Sequence, residues 1–535
     1  MSQSKQPTNT GALATLVIVF FFWGFIAASN SIFIPFCKTH FGLNQFQSQL
    51  IGSAFYGAYF IGSLALFIAS NLLGYDILNR IGYKKGIIYG LWISVVGALL
   101  IIPSAHANSF PAILGSFFVI ALGFSLQQTA AQPFAISLGD PSTGSHRLNL
   151  AGGVNSLGTT LGPIIVSLFL FGSVGGEHTE VTVTNVNNLY MIVAGVFAAV
   201  ALFFAFSKLP DGKNDEKFEK ASKASRSLLM MTGAIGALIV LGQLTEVDKL
   251  YLLLISIIAV VGILFWSNGE AGRKPEGWGA MQYQQLIYGM IGIFVYVGVE
   301  VTIDNNFGAL LKSPGYLTEL GLDESKISKY VSLYWGSLMI GRWTGAIGVF
   351  NLSETGKKIA TIVVPFIAFA IILLVNRAYG NDISDLYGYA ACIVLAILAF
   401  FYGQQKPVKT LLTVALLATI AMLVGVFSKG IVSVYALMAG GLCCSVMWPC
   451  IFSLGVAGLG KYTSQGSAFL VMMILGGAVI PPLQGTLGDM GAIGFHKSYL
   501  LAALCFAFLA YLAVKFRSVL KAQGLDFDSQ VGGGH

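Results

Sequence analysis

Glu300 and Asp304 stand four residues apart in the apolar run FVYVGVEVTIDNNFGALL, and Tyr296 stands four residues before them. On a helix that spacing puts a phenol and two carboxyls on one face. An acid near the centre of a membrane helix costs about 2.5 to 3.5 kcal/mol, so it is expected to be paired or functional. Arg342 lies deep in another apolar run, with Trp335 two turns earlier on the same side. Two readings follow: a Glu300–Arg342 ion pair that joins two helices, or an acid that titrates or binds a cation. Both hold if the pair breaks in one conformation.

A second set of polar groups is uncharged. Between Leu122 and Pro163 the chain reads LGFSLQQTAAQPFAISLG, DPSTGSHR and LNLAGGVNSLGTTLGP, with amides where a plain lipid anchor would carry leucine. Polar side chains in hydrocarbon are expected to face a partner or a hydrated cavity. Gln128 and Gln132 share a helix face, Ser125 precedes them on it, and Asn155 follows in the next run. Trp23, Asn30 and Ser31 recur at roughly helical spacing in the first run, and Trp448 and Gln484 stand in late ones. Small polar residues of this kind commonly pack helices together. The sharper reading is a sugar-binding face, with an aromatic ring on the pyranose and with amides and hydroxyls that donate and accept at its hydroxyl groups. No metal-ligand cluster, nucleophile–base pair or phosphate loop is present, so neither an enzyme nor a cofactor is expected.

The elements that must position these groups follow from composition. Of 535 residues, 56% are hydrophobic and 10% charged, against about 25% charged in soluble proteins. The chain is therefore an all-α polytopic membrane protein, with the lipid bilayer as its surroundings. Its net charge of +7 resides mostly in short connections between apolar runs, a topology signal that calls for no nucleic acid partner. The six cysteines lack ligand spacing and read as packing residues. The first run, Ala12 to Phe36, exceeds a signal-peptide core and is a retained helix.

A spanning helix needs about 20 mainly apolar residues. On that length the expectation is about sixteen spans, with fourteen as the alternative. Lys and Arg cluster in alternate connections, including Arg80 to Lys85, Lys208 to Arg226 and Lys515 to Lys521. That pattern puts both termini in the cytoplasm and demands an even count. Motifs recur in order: Tyr56-Gly57 with Ile61-Gly62 matches Trp335-Gly336 with Ile340-Gly341, PFAISLG matches PCIFSLG, and Gly158 with Pro163 matches Gly476 with Pro481. Between the first two matches the displacement grows by about two spanning helices and a turn. The expected plan is a six-helix bundle over residues 1–207, a central linker over 208–283 with an inserted helix pair, and a second bundle over 284–516. That second bundle holds another inserted pair at about 359–402, and a cytoplasmic tail over 517–535 closes the chain. Duplicated halves are the usual build of transporters.

FFWGF with SNSIFIP, RIGYKKGIIYGL, LQQTAAQPF, LNLAGGVNSLGTTLGP, YVGVEV, YWGSLMIGR and IPPLQGTLGD together resemble the fucose/galactose/glucose:proton symporter family of the major facilitator superfamily. The likeness covers all twelve core helices in order, and the inserted pairs fall outside it. It implies a major facilitator fold in the inner (plasma) membrane and secondary active uptake of a monosaccharide by alternating access. A monomer is expected, with Gln128, Gln132, Asn155, Asn30 and Trp448 on the sugar and Glu300 in coupling or gating. In that family the first helix has Asn-Asp where this chain has Asn30-Ser31, the fourth has Glu where it has Gln128, and the fifth has Gln where it has Gly152. The two acids are the family's proton and sugar handles. Coupling here moves to Glu300 or Asp304, uses sodium, or is absent. The rival readings are a non-transporting sugar sensor and a uniporter or exporter of another small polar solute.

Overall fold

The computed structural model describes residues 7–43, 45–171, 182–213, 219–311, 313, 327–403 and 406–525. The side chains of 26–36, 38–39, 45–51, 53, 163–164, 166–171 and 327 are outside that description. All regular elements among the described residues are helices. The first six long ones are α1 (Thr10–His40), α2 (Gln45–Leu73), α3 (Tyr83–His106), α4 (Phe110–Ser137), α5 (Gly144–Phe171) and α6 (Val183–Phe206). A hairpin follows, α7 (Ser222–Leu244) and α8 (Lys249–Arg273), then α9 (Gln284–Leu311), α10 (Ile327–Gly345), α11 (Glu354–Ala378) and α12 (Ala390–Gly403). The chain continues through α13 (Pro407–Phe427), α14 (Gly430–Cys444), α15 (Met447–Gly455), α16 (Thr463–Met472), α17 (Gly476–Asp489) and α18 (Leu500–Ala522). Thirteen described helices are long and apolar enough to cross a membrane, and the apolar stretch Thr10–Phe25 brings them to fourteen, the lower of the two expected counts. Helices α5 and α10 complete the element order.

Helix starts obey capping chemistry. Ser109 accepts from the Ala112 N–H ahead of α4, Thr182 and Asn185 form a capping box on α6, and Asp248 and Ser353 cap α8 and α11. Each fills a backbone donor that a helix start leaves unpaired. At the other end of α6, Lys84 Nζ donates to the carbonyls of Ser207 at 2.8 Å and Ala205 at 3.3 Å. The basic connection RIGYKKG thus supplies a cation to a helix C-terminus besides marking topology.

The chain divides into two compact units. One takes in Met1–Ser63, Leu78–Asp215 and Arg342–Gly388; the other takes in Leu64–Ile77, Glu216–Gly341 and Tyr389–His535. In the first, α1 crosses α5 where each presents a glycine: a Cβ on Gly24 would fall 2.0 Å from the Asn155 carbonyl, and one on Gly158 would fall 2.2 Å from that of Phe21. In the second, α9 crosses α17 in the same manner, with Gly298 against Ile480 and Gly476 against the Phe294 carbonyl. Backbones in lipid approach this closely only where the side chain is absent. Gly62 against Ser125 and Gly341 against Ser445 repeat a second crossing, α2 on α4 and α10 on α14.

The repeat also identifies the ninth core helix. As α3 packs chiefly on α4 and α6, so α13 packs chiefly on α14 and α18. In the chain, α11 and α12 stand between α10 and α13. The hairpin α7–α8 is joined internally by Ser227 and Ser267, rests on α17, and exposes Ile239, Leu244, Ile258 and Trp266 to the bilayer. Its entry strand is tied down within the second unit. The Ala221 N–H donates to Asn71 Oδ1, and Glu219 takes Lys461 at 2.7 Å and the Tyr462 hydroxyl.

Substituting Gly476→Leu should destabilise the second unit by about 1–3 kcal/mol or more, the scale of an overpacked contact, because the Phe294 carbonyl has nowhere to go. Gly115→Ala, where a Cβ meets nothing within 4 Å, should leave the thermal midpoint of the detergent-solubilised protein unmoved. Equal midpoints for the two variants would contradict the close crossing.

Candidate functional site

In the first unit the α4 amides divide by what they touch. Gln127, absent from the residues singled out in the sequence, is fully buried. Its Oε1 accepts the Trp23 indole N–H at 2.6 Å, and its Nε2 donates to Ser94 Oγ at 3.1 Å. It braces α1, α3 and α4 together. Trp23 is 5% exposed, with its ring 4.4 Å from that of Phe20, so it packs as a strut between helices. Ser125 is likewise spent, on Ser63 Oγ and the Tyr59 carbonyl.

Gln128 is half-buried and donates from Nε2 to the Tyr59 hydroxyl at 2.9 Å. Tyr59 on α2 is thus part of this polar face; in the sequence it was one tyrosine of an aromatic run. Gln132 differs from its neighbours. It is 5% exposed, and among the described residues its amide makes no hydrogen bond. A buried amide without a partner costs free energy that a ligand or water would recover. Asn155 donates to the Phe20 carbonyl at 3.0 Å, stapling α5 to α1 beside the glycine crossing, and is half-buried. Asn30 and Ser31 lie on α1, and their side chains are outside the described residues. Arg342, at the end of α10, groups with this unit; it donates to Ser156 Oγ at 2.9 Å and lies 3.5 Å from the Gly152 carbonyl.

In the second unit an aromatic wall stands beside the two acids. The Trp448 ring stacks on Phe452 at 6.0 Å and tilts against Tyr296 at 6.2 Å, and its Nε1 is buried without a hydrogen-bond partner. The Tyr296 hydroxyl donates to Glu300 Oε1 at 2.6 Å, as the four-residue spacing requires. The Tyr334 hydroxyl donates to the Glu300 main-chain carbonyl at 2.7 Å. Trp335 lies near the Asp304 carboxyl. Gln484 lies elsewhere in chemical terms: it is fully buried, accepts from Thr302 and Asn306, and donates to Ser498. Its amide is consumed in joining α9, α17 and the turn before α18, which makes it a brace like Gln127.

Removing the brace should cost stability first. In Gln127→Leu the Trp23 N–H and Ser94 lose their partner, a loss of about 1 kcal/mol or more, read as a lower thermal midpoint. Gln132→Leu takes away no hydrogen bond and should hold or raise that midpoint. A destabilised Gln132→Leu would place that amide among the braces.

The Major Facilitator Superfamily model matches residues 15–481. Over 508 residues, covering 95% of this chain and 94% of the relative, the sequence is 32% identical to a glucose/galactose transporter of Brucella abortus. It is 26% identical to an L-fucose-proton symporter of Escherichia coli K12, across 94% of this chain and 92% of the relative. A crystal structure of the E. coli fucose:proton symporter superposes with a TM-score of 0.63 at 24% identity, covering 94% of this chain and 98% of that one. At that identity it speaks for the fold.

Proposed function

Since the chain belongs to the Major Facilitator Superfamily, in its fucose permease-like branch, and is a multi-pass membrane transporter, we propose that it carries a neutral monosaccharide of the glucose, galactose or fucose class into the cell. The reading places it in the inner membrane with both termini cytoplasmic, and takes it to work by alternating access, coupled to a cation. The 32% identity to a glucose/galactose transporter over 95% of the chain carries the proposal. The chemistry of the side chains supports it. Gln132 offers an amide that makes no hydrogen bond among the described residues, and Gln128 an amide already oriented by Tyr59. Trp448 offers an aromatic face with a spare N–H. Donors and acceptors without net charge suit a polyhydroxylated ligand, and an indole face suits the apolar side of a pyranose.

In this reading Gln128, Gln132, Asn155, Asn30 and Ser31 take sugar hydroxyls; Trp448 and Trp335, both in the second unit, present ring faces of the kind a sugar binds. The carboxyls of α9, Glu300 and Asp304, serve coupling or gating. Trp23 and Gln484 hold the helices that carry these groups.

Gln132→Leu and Trp448→Ala should each weaken hexose binding about tenfold, the worth of one lost hydrogen bond or aromatic contact of about 1.4 kcal/mol. Binding is measured by competition against labelled glucose, galactose and fucose. Reconstituted vesicles should accumulate one of these sugars when a proton or sodium gradient is imposed, and Glu300→Gln should cut that accumulation about tenfold. Tight binding without counterflow would identify a sensor in place of a transporter. Failure of all three sugars to bind would remove the monosaccharide reading.

A further inference from the structure

A coupled transporter must hold its second passenger on a specific group. The two acids of α9 have unequal surroundings. Glu300 Oε1 accepts the Tyr296 hydroxyl at 2.6 Å, a hydroxyl donor that stabilises the charged form. Asp304, one turn further on, is half-buried, and its Oδ1 is buried with no hydrogen-bond partner. The titratable side chains gathered about Tyr334 are Tyr296, Glu300 and Asp304 from α9 and Cys444 from α14.

An ionised carboxylate seeks donors for both oxygens, and a bare oxygen in a low dielectric disfavours the charge. A second acid one helical turn away on the same face disfavours it further. The acid best furnished with donors keeps its charge, and the poorly furnished one takes the proton. The Tyr296 and Tyr334 hydroxyls both donate to Glu300, one to its carboxyl and one to its main-chain carbonyl.

We propose that Asp304 is the proton-carrying residue of this transporter, with Glu300 as the fixed charge beside it. The proposal rests on the transport reading above. An O–H bond forms at Oδ1 with a proton from the water on one side of the membrane. That bond breaks, and the proton leaves, on the other side; no other bond changes. The chain thereby has a proton handle on α9, although amide and hydroxyl side chains stand at Gln128 and Ser31.

The test uses the full chain in proteoliposomes with a pH-sensitive dye trapped inside. Hexose entry should bring protons with it, and in Asp304→Asn the ratio of protons moved to hexose exchanged should fall about tenfold or more, the size of a typical coupling free energy. Asp304→Glu, which keeps a carboxyl, should retain proton movement with a displaced pH midpoint. Infrared difference spectra between low and high pH should show a protonated-carboxyl band in the wild type that Asp304→Asn lacks, a readout that needs no sugar. A wild-type proton ratio in Asp304→Asn overturns the assignment. So does accumulation that follows sodium and ignores pH. If Asp304→Asn does not reconstitute, loss of proton movement in Asp304→Glu with hexose exchange still running overturns it too. Absence of hexose binding and exchange in the wild type defeats the transport reading instead, and the infrared band then still decides whether Asp304 titrates.

Discussion

A hydrogen-bonding group taken out of water must find a partner or remain a standing cost, and in a chain surrounded by lipid this constraint governs nearly every polar side chain. It sorts the buried amides into two kinds. Gln127 and Gln484 are enclosed, and both ends of each amide are engaged, so they tie three elements together and behave as structure. Gln132, 5% exposed, engages nothing among the described residues. Composition cannot separate the two kinds, because the residue type is the same and only the neighbours differ. The unsatisfied group is the one with free energy left to offer a ligand.

The second constraint is distance between backbones. The two units each contain a crossing at which glycines let main chains touch: Gly24 and Gly158 in one, Gly298 and Gly476 in the other. Polar staples sit beside them, Asn155 on the Phe20 carbonyl in the first unit and the Thr302–Asn306–Gln484 cluster in the second. Close crossing and staple fix the angle of α5, which carries Asn155, and of α9, which carries Glu300 and Asp304. A site built on such elements owes its accuracy to packing that contains no chemistry of its own. The inserted helices stand apart from this logic. The hairpin α7–α8 shows most of its apolar surface to the bilayer, while its entry strand is held by Asn71, Lys461 and Tyr462.

How much of this was legible beforehand can be judged residue by residue. The Tyr296–Glu300 hydrogen bond follows from a spacing of four on a helix and was readable directly. The repeated glycines at Gly62 and Gly341, and at Gly158 and Gly476, were visible as a repeat, and the crossings they make bear the pattern out. Gln127 was passed over beside Gln128. Adjacent helical residues point about 100° apart, and which of two faces meets a neighbour is a property of the neighbour. Trp23 was a candidate ring for a sugar until its N–H was seen on Gln127. The choice of α13 as the ninth core helix also waited on packing, because all three apolar runs between the eighth and tenth helices are long enough to span.

By itself, then, the sequence determined that this is a bundle of membrane helices with an internal duplication, a set of intramembrane amides and a carboxyl pair on one helix face. Those properties depend on composition and on helical period, which are local. Tertiary structure alone decided which amides are braces and which are unspent, and that Asp304 Oδ1 is buried without a hydrogen-bond partner while the Tyr296 hydroxyl donates to Glu300. The physical reason is that satisfaction of a polar group is a relation between residues far apart in the chain, and only the folded helices bring those residues within reach of one another.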